Sequence, residues 1–305
     1  MIDVYLFSGF LGSGKTSLLL HLIRQLKEQG KKPAILMNEF GNLGVDTNIL
    51  NEEGEVPLKE LLDGCICCTG SEQTEAQLQG LLEDHENIDV ILIETTGAAH
   101  PVEALDAVYS PLFADRLSVK GIVTVVDAVR WLDREKLSPQ IRSLFMEQIR
   151  HAHLLLANKA DLLTEGELAT VVTELTNFNG HAPVIQTING KIPFAMIERQ
   201  LRSSSETKRQ PIISGKHLPL SSKLITFQES VDKEAFERWV QSLPETVYRM
   251  KGYVPISGVK NPYLFQYAYG IVSWLPEYVQ MAPRLVVIGE GVNEIAYDDS
   301  TSLEK

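Results

Sequence analysis

A glycine-rich segment near the start of the chain constrains the fold more than any other feature. Residues 9–16 read Gly-Phe-Leu-Gly-Ser-Gly-Lys-Thr, which satisfies the pattern G-x-x-x-x-G-K-[ST]. An apolar strand, Val4–Phe7, precedes this loop, and a predicted helix, Ser17–Gln29, follows it. Glycines let such a loop curl so that backbone N–H groups point at phosphate oxygens, and the positive end of the helix faces the same place. The sequence therefore predicts a phosphate-binding loop here.

The loop side chains have separate predicted roles. Lys15 would place a positive charge at the β- and γ-phosphates, and Thr16 would offer a hydroxyl to Mg²⁺. The residues that we expect around the phosphates are Gly9, Gly12, Ser13, Gly14, Lys15, Thr16 and Ser17.

Composition limits the classes of protein to consider. The chain has 305 residues, of which 44% are hydrophobic and 22% charged, as in an ordinary globular protein with room for two domains. No apolar run approaches the roughly 20 residues that cross a bilayer. The net charge of −12 argues against a broad nucleic-acid surface. Without such an apolar run we expect no membrane contact, and because Met1 leads directly into the first strand we expect no cleaved leader and a cytoplasmic location.

The chain alternates predicted strands and helices through its first two thirds. This order predicts an α/β domain at residues 1–205, a P-loop NTPase with a mainly parallel sheet. A polar segment, residues 206–219, is interpreted as a linker, and residues 220–305 as a small α+β domain. The predicted strands are Val4–Phe7, Ala34–Met37, Val90–Ile93, Gly121–Val126, Leu154–Ala157, Pro183–Gln186, Ser222–Phe227, Thr246–Tyr253, Leu264–Ile271 and Leu285–Gly289. The predicted helices after the first are Thr74–Asp84, Arg142–Arg150, Glu165–Asn177 and Lys233–Ser242.

A second motif predicts which base the site selects. Asn158-Lys159-Ala160-Asp161 directly follows an apolar strand. The Asp161 carboxylate would accept from the guanine ring N–H and amine, whereas adenine offers no such donor pair and would leave a charge unpaired. Asn158 would order the loop, and the Lys159 stem would lie along the base. The pattern indicates guanine.

Acidic residues follow two other predicted strands. Glu94 ends a strand, with Gly97 three residues later, so Glu94 is expected at Mg²⁺-bound water and the Gly97 N–H at the γ-phosphate. Loss of that phosphate would release the loop, which makes it a predicted switch. Glu39 follows the second strand and is expected near the Mg²⁺ shell, with an ordinary surface acid as the alternative. Asp127 is expected to cap the next helix rather than to take part in chemistry.

All three cysteines lie within four residues: Cys65, Cys67 and Cys68. In extended backbone Cys65 and Cys67 point the same way, about 7 Å apart, and three thiolates would hold a soft cation such as Zn²⁺, Cu⁺ or Co²⁺. The open position would accept water, Glu39, a histidine or a ligand from another protein. Buried inert thiols and a redox switch are the alternatives.

Histidines carry weaker signals. His151 and His153 form an H-x-H that enters a buried strand, so packing or capping is favoured over metal ligation. His85 and His100 are candidate ligands only by default.

Taken in order, these motifs resemble the CobW family of GTP-dependent metal chaperones, relatives of the nickel-insertion GTPases HypB and UreG. The resemblance covers the whole chain, and its most specific part is Gly-Cys-Ile-Cys-Cys at residues 64–68. Ser17 stands where a second Thr is usual, and His100 where the family often has Asp. The His-rich tract of many members does not occur, which puts metal storage, but not transfer, in doubt.

The resemblance implies GTP hydrolysis coupled to delivery of zinc or cobalt to a client metalloprotein. It implies that Lys15, Thr16, Glu39 and Glu94 serve nucleotide and Mg²⁺, and that the three cysteines supply the metal site. Two other functions remain open at this point: a redox-sensing regulatory GTPase and a non-catalytic metal buffer. The physiological metal, the client and the oligomeric state, a homodimer included, are not fixed by the sequence.

Overall fold

The structure is a computed structural model that describes residues 1–37, 56, 58–60, 70–206 and 218–297. Contacts between Cα atoms divide the chain into two units. The first comprises Met1–Val108 and Arg116–His217, and the second comprises Tyr109–Asp115 and Leu218–Lys305. The short segment Tyr109–Asp115 belongs to the second unit, which nothing in the sequence pattern indicated. The predicted linker at residues 206–219 stays a prediction.

The first unit is built on a parallel sheet of seven strands in the order β3-β2-β4-β1-β5-β6-β7. The strands are β1 (Ile2–Ser8), β2 (Pro33–Met37), β3 (Leu58–Glu60), β4 (Val90–Glu94), β5 (Leu117–Asp127), β6 (Leu154–Asn158) and β7 (Val184–Gln186). The six strands predicted for this region are all present, and the predicted P-loop fold with a parallel sheet is confirmed.

Helices pack on this sheet through apolar faces. They are α1 (Lys15–Glu28), α2 (Gly70–Asp84), α3 (Pro101–Val108), α4 (Ala128–Leu132), α5 (Pro139–Arg150), α6 (Glu165–Phe178) and α7 (Phe194–Glu206). On α1, Leu18, Leu22 and Leu26 are buried at helical spacing against the sheet. Helices α3 and α7 were not among the predicted helices, and α4 was predicted only through its cap residue, Asp127.

Strand register places the candidate residues along one edge. Phe7 pairs with Glu94, Ser8 with Thr124, and Asp127 with Asn158, so the carboxyl ends of β4, β1, β5 and β6 lie side by side. In the strand order, β2 lies to one side of β1 and β5 to the other, so the order in which strands are added reverses direction at β1. Parallel sheets bind ligands beside such a reversal. The phosphate-binding loop therefore sits at the expected place in the topology.

The second unit is an antiparallel sheet of five strands in the order β11-β10-β9-β12-β8, with one helix, α8 (Lys233–Gln241). Its strands are β8 (Leu220–Thr226), β9 (Val247–Val254), β10 (Tyr263–Ala268), β11 (Ile271–Pro276) and β12 (Arg284–Glu290). The α8 side chain Phe236 packs edge-on against Phe265 at 5.0 Å between ring centroids. This arrangement confirms the predicted small α+β domain.

The prediction of one strand at Leu264–Ile271 is wrong. The segment is a hairpin whose strands β10 and β11 meet at Tyr269 and Gly270, with φ angles of 45° and 90°. Two positive φ angles in a two-residue loop match the twist of antiparallel strands. Tyr269 continued the aromatic and apolar pattern of the strand and so concealed the turn.

Candidate nucleotide and metal site

The loop between β1 and α1 has the conformation that its glycines predict. Gly9, Gly12 and Gly14 have φ angles of 137°, 74° and 103°. A Cβ atom on Gly9 would lie 2.2 Å from the Val125 carbonyl oxygen, so the β5 backbone excludes any side chain there. Positive φ and this close approach together require glycine.

Lys15 is held inside the loop. Its side chain is 6% exposed, and its Nζ donates to the Gly9 carbonyl at 2.8 Å and to the Phe10 carbonyl at 3.4 Å. Burial lowers the pKa of Lys15, and the nearby Glu94 charge opposes that shift. The positive charge is thus desolvated and held by the loop's own carbonyl oxygens.

Thr16 and Glu94 meet at the carboxyl end of β4. The Thr16 hydroxyl donates to the two Glu94 carboxylate oxygens at 3.0 and 3.3 Å. Burial raises the pKa of Glu94, while the Lys15 charge and the Thr16 hydrogen bond oppose the rise. The Thr16 hydroxyl and the Glu94 carboxylate therefore lie next to each other, beside the buried Lys15 ammonium. Both are oxygen ligands, the kind that Mg²⁺ prefers.

Gly97 lies against the phosphate-binding loop. A Cβ atom on it would come within 2.6 Å of both the backbone nitrogen and Cγ of Leu11. Its carbonyl oxygen accepts from Nε2 of Gln148 at 3.0 Å, and the Ala99 carbonyl accepts from the same atom at 3.2 Å. The loop after β4 is thus fixed between the glycine-rich loop and α5.

Two buried hydroxyl groups in these loops indicate that a polar ligand binds here. Within the described parts of the chain, Ser13 Oγ and Thr96 Oγ1 are buried and have no hydrogen-bond partner. Buried polar groups are nearly always paired in native proteins, so each such group calls for an explanation. Phosphate oxygens at the loop would provide one, and the residues present fit a phosphate and a Mg²⁺ ion. Ser17, by contrast, is exposed.

Asn158 ties the second motif to the first. It is 2% exposed; its Nδ2 donates to the Ser13 carbonyl at 2.8 Å, and its Oδ1 accepts from Thr187 Oγ1 at 3.1 Å and from the Gly190 N–H at 2.9 Å. A Cβ atom on Gly14 would lie 2.4 Å from Asn158 Nδ2. Asn158 therefore orders the phosphate-binding loop directly.

The rest of the second motif lies at the same edge. Lys159 has a φ of 63°, and its Nζ lies 2.6 Å from Asp127 Oδ2. Asp127 accepts from the Arg130 N–H at 3.1 Å, so the predicted helix cap at the start of α4 is confirmed. Asp161 is exposed in a short 3₁₀ helix, Ala160–Leu162. Its predicted contact with guanine stays a prediction.

Sequence reasoning missed Arg130. Its Nη1 donates to the Leu11 carbonyl at 3.2 Å, and its guanidinium lies 4.9 Å from the centre of the Phe10 ring. The predicted helix cap at Asp127 could have indicated Arg130, because the cap fixes the start of α4 and so places the residue three positions later beside the phosphate-binding loop.

The candidate metal ligands divide into two groups. Glu39, Cys65, Cys67 and Cys68 lie outside the described residues, so their predicted roles stay predictions. His100, Glu147 and His151 lie together, with one ligand atom from each within 4.8 Å of the others. The hydrogen bond with His151 holds the pKa of Glu147 below its usual value although burial opposes it.

The other histidines have structural surroundings. His153 Nδ1 accepts from the Ile122 N–H at 3.2 Å, as expected for packing within the sheet. His151 is buried and forms the C-terminal cap position of α5. His85 is exposed and belongs to no ligand cluster among the described residues.

Parallel sheet, glycine-rich loop and Lys15 together define a P-loop nucleotide-binding protein. The model of the family described as "CobW/HypB/UreG, nucleotide-binding domain" matches residues 3–186, and that described as "Cobalamin synthesis protein cobW C-terminal domain" matches residues 220–300. The chain belongs to the CobW/HypB/UreG family, which confirms the resemblance drawn from its motifs.

Relatives align with nearly the whole chain. The protein named "Zinc chaperone YjiA" from Escherichia coli (strain K12) is 31% identical over 282 residues, covering 87% of this chain and 85% of its own. "Zinc chaperone CobW" from Sinorhizobium sp is 29% identical, covering 94% and 92%. A crystal structure described as Zn(II)-bound YjiA GTPase from E. coli superposes with a TM-score of 0.48 at 25% identity, covering 95% of this chain and 94% of that one.

In the described parts of the chain, no helix is both long and apolar enough to cross a membrane.

Proposed function

We propose that this protein is a GTP-hydrolysing metallochaperone. It binds a transition metal, zinc or cobalt, at Cys65, Cys67 and Cys68 and delivers it to a client metalloprotein in the cytoplasm. GTP is the nucleotide, and Mg²⁺ is its companion ion. The observation that supports binding of GTP and Mg²⁺ is the hydrogen bond between Thr16 and Glu94 beside buried Lys15, at the edge where the strands end.

Hydrolysis requires charge neutralisation and positioning more than covalent chemistry by the protein. Lys15 would hold the β- and γ-phosphates once its ammonium leaves the Gly9 carbonyl. The Thr16 hydroxyl and Glu94, through water, would hold Mg²⁺, which supplies further positive charge at the phosphates. The Gly97 N–H would donate to the γ-phosphate, and water would attack in line with the leaving oxygen.

Specificity for guanine rests on the second motif. Asp161 would accept from the base, while Asn158 keeps that motif at a fixed distance from the phosphate-binding loop through its bond to Ser13. Lys159 would lie along the base plane and is already oriented by Asp127. Since adenine offers no matching donors, ATP should bind poorly.

Metal transfer is supported by family membership and by the sequence Cys-x-Cys-Cys. Three thiolates suit Zn²⁺ or Co²⁺ and leave one coordination position for a client's ligand. The names of the relatives, "Zinc chaperone", favour zinc.

The deciding experiment is a metal titration. Zn²⁺ and Co²⁺ affinities are measured with GDP and with a non-hydrolysable GTP analogue, for the native chain and for Cys65→Ser/Cys67→Ser. We expect metal affinity to be about 5- to 150-fold higher with the GTP analogue than with GDP, and bound metal to raise the affinity for the GTP analogue relative to GDP by the same factor.

Other outcomes select the alternatives. Equal metal affinity with both nucleotides would mean that hydrolysis does not drive transfer, which favours a metal buffer. No sub-micromolar metal site would favour a redox-sensing GTPase. A double variant that binds as tightly as the native chain would place the metal elsewhere.

A further inference from the structure

We infer that His100, Glu147 and His151 form a second site for a divalent transition metal of the Zn²⁺ class. The site is separate from the cysteine motif, and it joins the loop after β4 to helix α5. The test of this site needs neither nucleotide nor the cysteines. The site can therefore be refuted while the proposed function stands, and the proposed function can be refuted while the site stands.

The backbone brings three suitable ligands together from two elements. Glu147 and His151 are four residues apart at the end of α5 and so share one face of the helix. His100 comes from the residue just before α3. Two imidazoles and a carboxylate are a common protein donor set for zinc, with one position left open.

Distances at the cluster are close to those that a metal requires. Glu147 Oε2 lies 3.1 Å from His151 Nε2 and 3.9 Å from His100 Nε2. Ligand atoms in a tetrahedral zinc site lie about 3.3 Å apart, given bonds of roughly 2.0 Å. The two rings thus converge on one carboxylate oxygen, while the other, Oε1, is bonded to Arg150 at 2.7 Å.

Burial at the cluster is graded. The His151 side chain is 3% exposed, but those of His100 and Glu147 are 27% and 24% exposed. The cluster therefore has a fixed inner ligand and an open outer side through which an ion can enter.

Neighbouring contacts hold the two elements in place. Gln148, next to Glu147, donates to the carbonyl oxygens of Gly97 and Ala99, directly before His100. An ion at the cluster would add a second link between α5 and the same loop.

Metal binding would also change the hydrogen bonding of His100. Its Nδ1 accepts from the Val102 N–H at 3.3 Å, so the neutral ring carries its proton on Nε2, facing Glu147. A metal bound at Nε2 needs the lone pair of that nitrogen, so the proton leaves Nε2 and the neutral ring carries it on Nδ1 instead. The ring can then no longer accept from Val102, so the metal-bound state and the capped start of α3 exclude each other.

The test uses the full chain with all three cysteines replaced, Cys65→Ser/Cys67→Ser/Cys68→Ser. Co²⁺ is titrated and followed by its visible absorption, and Zn²⁺ affinity is measured by competition with a chromogenic chelator. We expect one equivalent of Co²⁺ to bind without a thiolate charge-transfer band. His100→Gln or Glu147→Gln should weaken binding at least about 10-fold.

His181→Gln is the matched control, because it removes an exposed histidine outside the cluster. Thermal melts verify that each variant is folded, and His100→Gln is decisive should Glu147→Gln not fold. Zn²⁺ should also speed hydrogen exchange at the Val102 amide. The inference is overturned if the cysteine-free chain binds no metal, or if His181→Gln lowers metal affinity as much as His100→Gln does. It is also overturned if Zn²⁺ leaves hydrogen exchange at the Val102 amide unchanged.

Discussion

Replacing Asn158 should damage stability and nucleotide binding together. Asn158→Ala leaves three buried groups without their partner: the Ser13 carbonyl, the Thr187 hydroxyl and the Gly190 N–H. Each such group costs about 1–3 kcal/mol, and water entering the space recovers part of it, so we expect a loss of about 3–5 kcal/mol. For a unit of this size that lowers the melting temperature by roughly 6–20 °C.

The nucleotide effect follows from Ser13. Without the Asn158 bond, the Ser13 peptide is no longer fixed in the phosphate-binding loop. We expect GDP and GTP affinity to fall by about 10- to 100-fold, equivalent to about 1.4–2.7 kcal/mol. Isothermal calorimetry at a temperature where the variant is folded measures this directly.

A second buried asparagine supplies the control. Asn179 Nδ2 donates to the Ile149, Arg150 and Ala152 carbonyls at 2.8–3.0 Å, and none of these belongs to the loop. Asn179→Ala should therefore destabilise the protein comparably but leave nucleotide affinity unchanged in the folded chain. Equal affinity in both variants would show that Asn158 is only structural and does not order the phosphate-binding loop for nucleotide.

Four further outcomes follow from the same edge of the sheet. Lys15→Ala should abolish GTP turnover in a folded chain, since several kcal/mol of transition-state stabilisation are lost; native turnover in a phosphate-release assay would refute the assignment. Asp161→Asn should weaken GTP by about 30- to 1000-fold, or about 2–4 kcal/mol, and favour xanthine nucleotide; competition binding that shows unchanged GTP affinity argues against a guanine contact. Gly97→Ala should slow turnover because its Cβ meets the Leu11 backbone nitrogen at 2.6 Å, and Leu11→Ala should not restore it. Glu94→Gln should change the pH dependence of stability. Burial raises the pKa of Glu94 above its ordinary value of 4.5, so folding favours its protonated form and the native, nucleotide-free chain loses stability as pH rises from about 4.5 through the raised value. Thermal melts of Glu94→Gln should show no such loss, and parallel curves for the two proteins would contradict it.

The sequence predicted what local pattern determines. A strand, a glycine-rich loop and a helix with buried leucines predict the position of Lys15 without any tertiary information. The sequence motifs also predicted both Thr16 and Glu94 around Mg²⁺, and in the structure the Thr16 hydroxyl lies 3.0 Å from a Glu94 carboxylate oxygen.

What the sequence did not predict depends on contacts between distant segments. Gln148 lies in a predicted helix and looks like any polar residue there, yet it is fully buried and binds two carbonyls of another loop. His100 and His151 were seen separately, because nothing in their spacing indicates that α3 and α5 bring them together. The turn at Tyr269 and Gly270 was hidden for the opposite reason, since its local composition resembles a strand.

These contacts tie one short loop to two separate candidate ligand sites. The segment after β4 begins with the Thr95 N–H bonded to the Phe7 carbonyl in β1, and its Gly97 touches Leu11. It ends at His100, beside the Glu147 carboxylate of α5. Its first half is therefore fixed by the phosphate-binding loop and its second half by a helix that carries candidate metal ligands. We therefore expect a ligand bound at either site to change the affinity of the other site, and linkage requires the two changes to be equal.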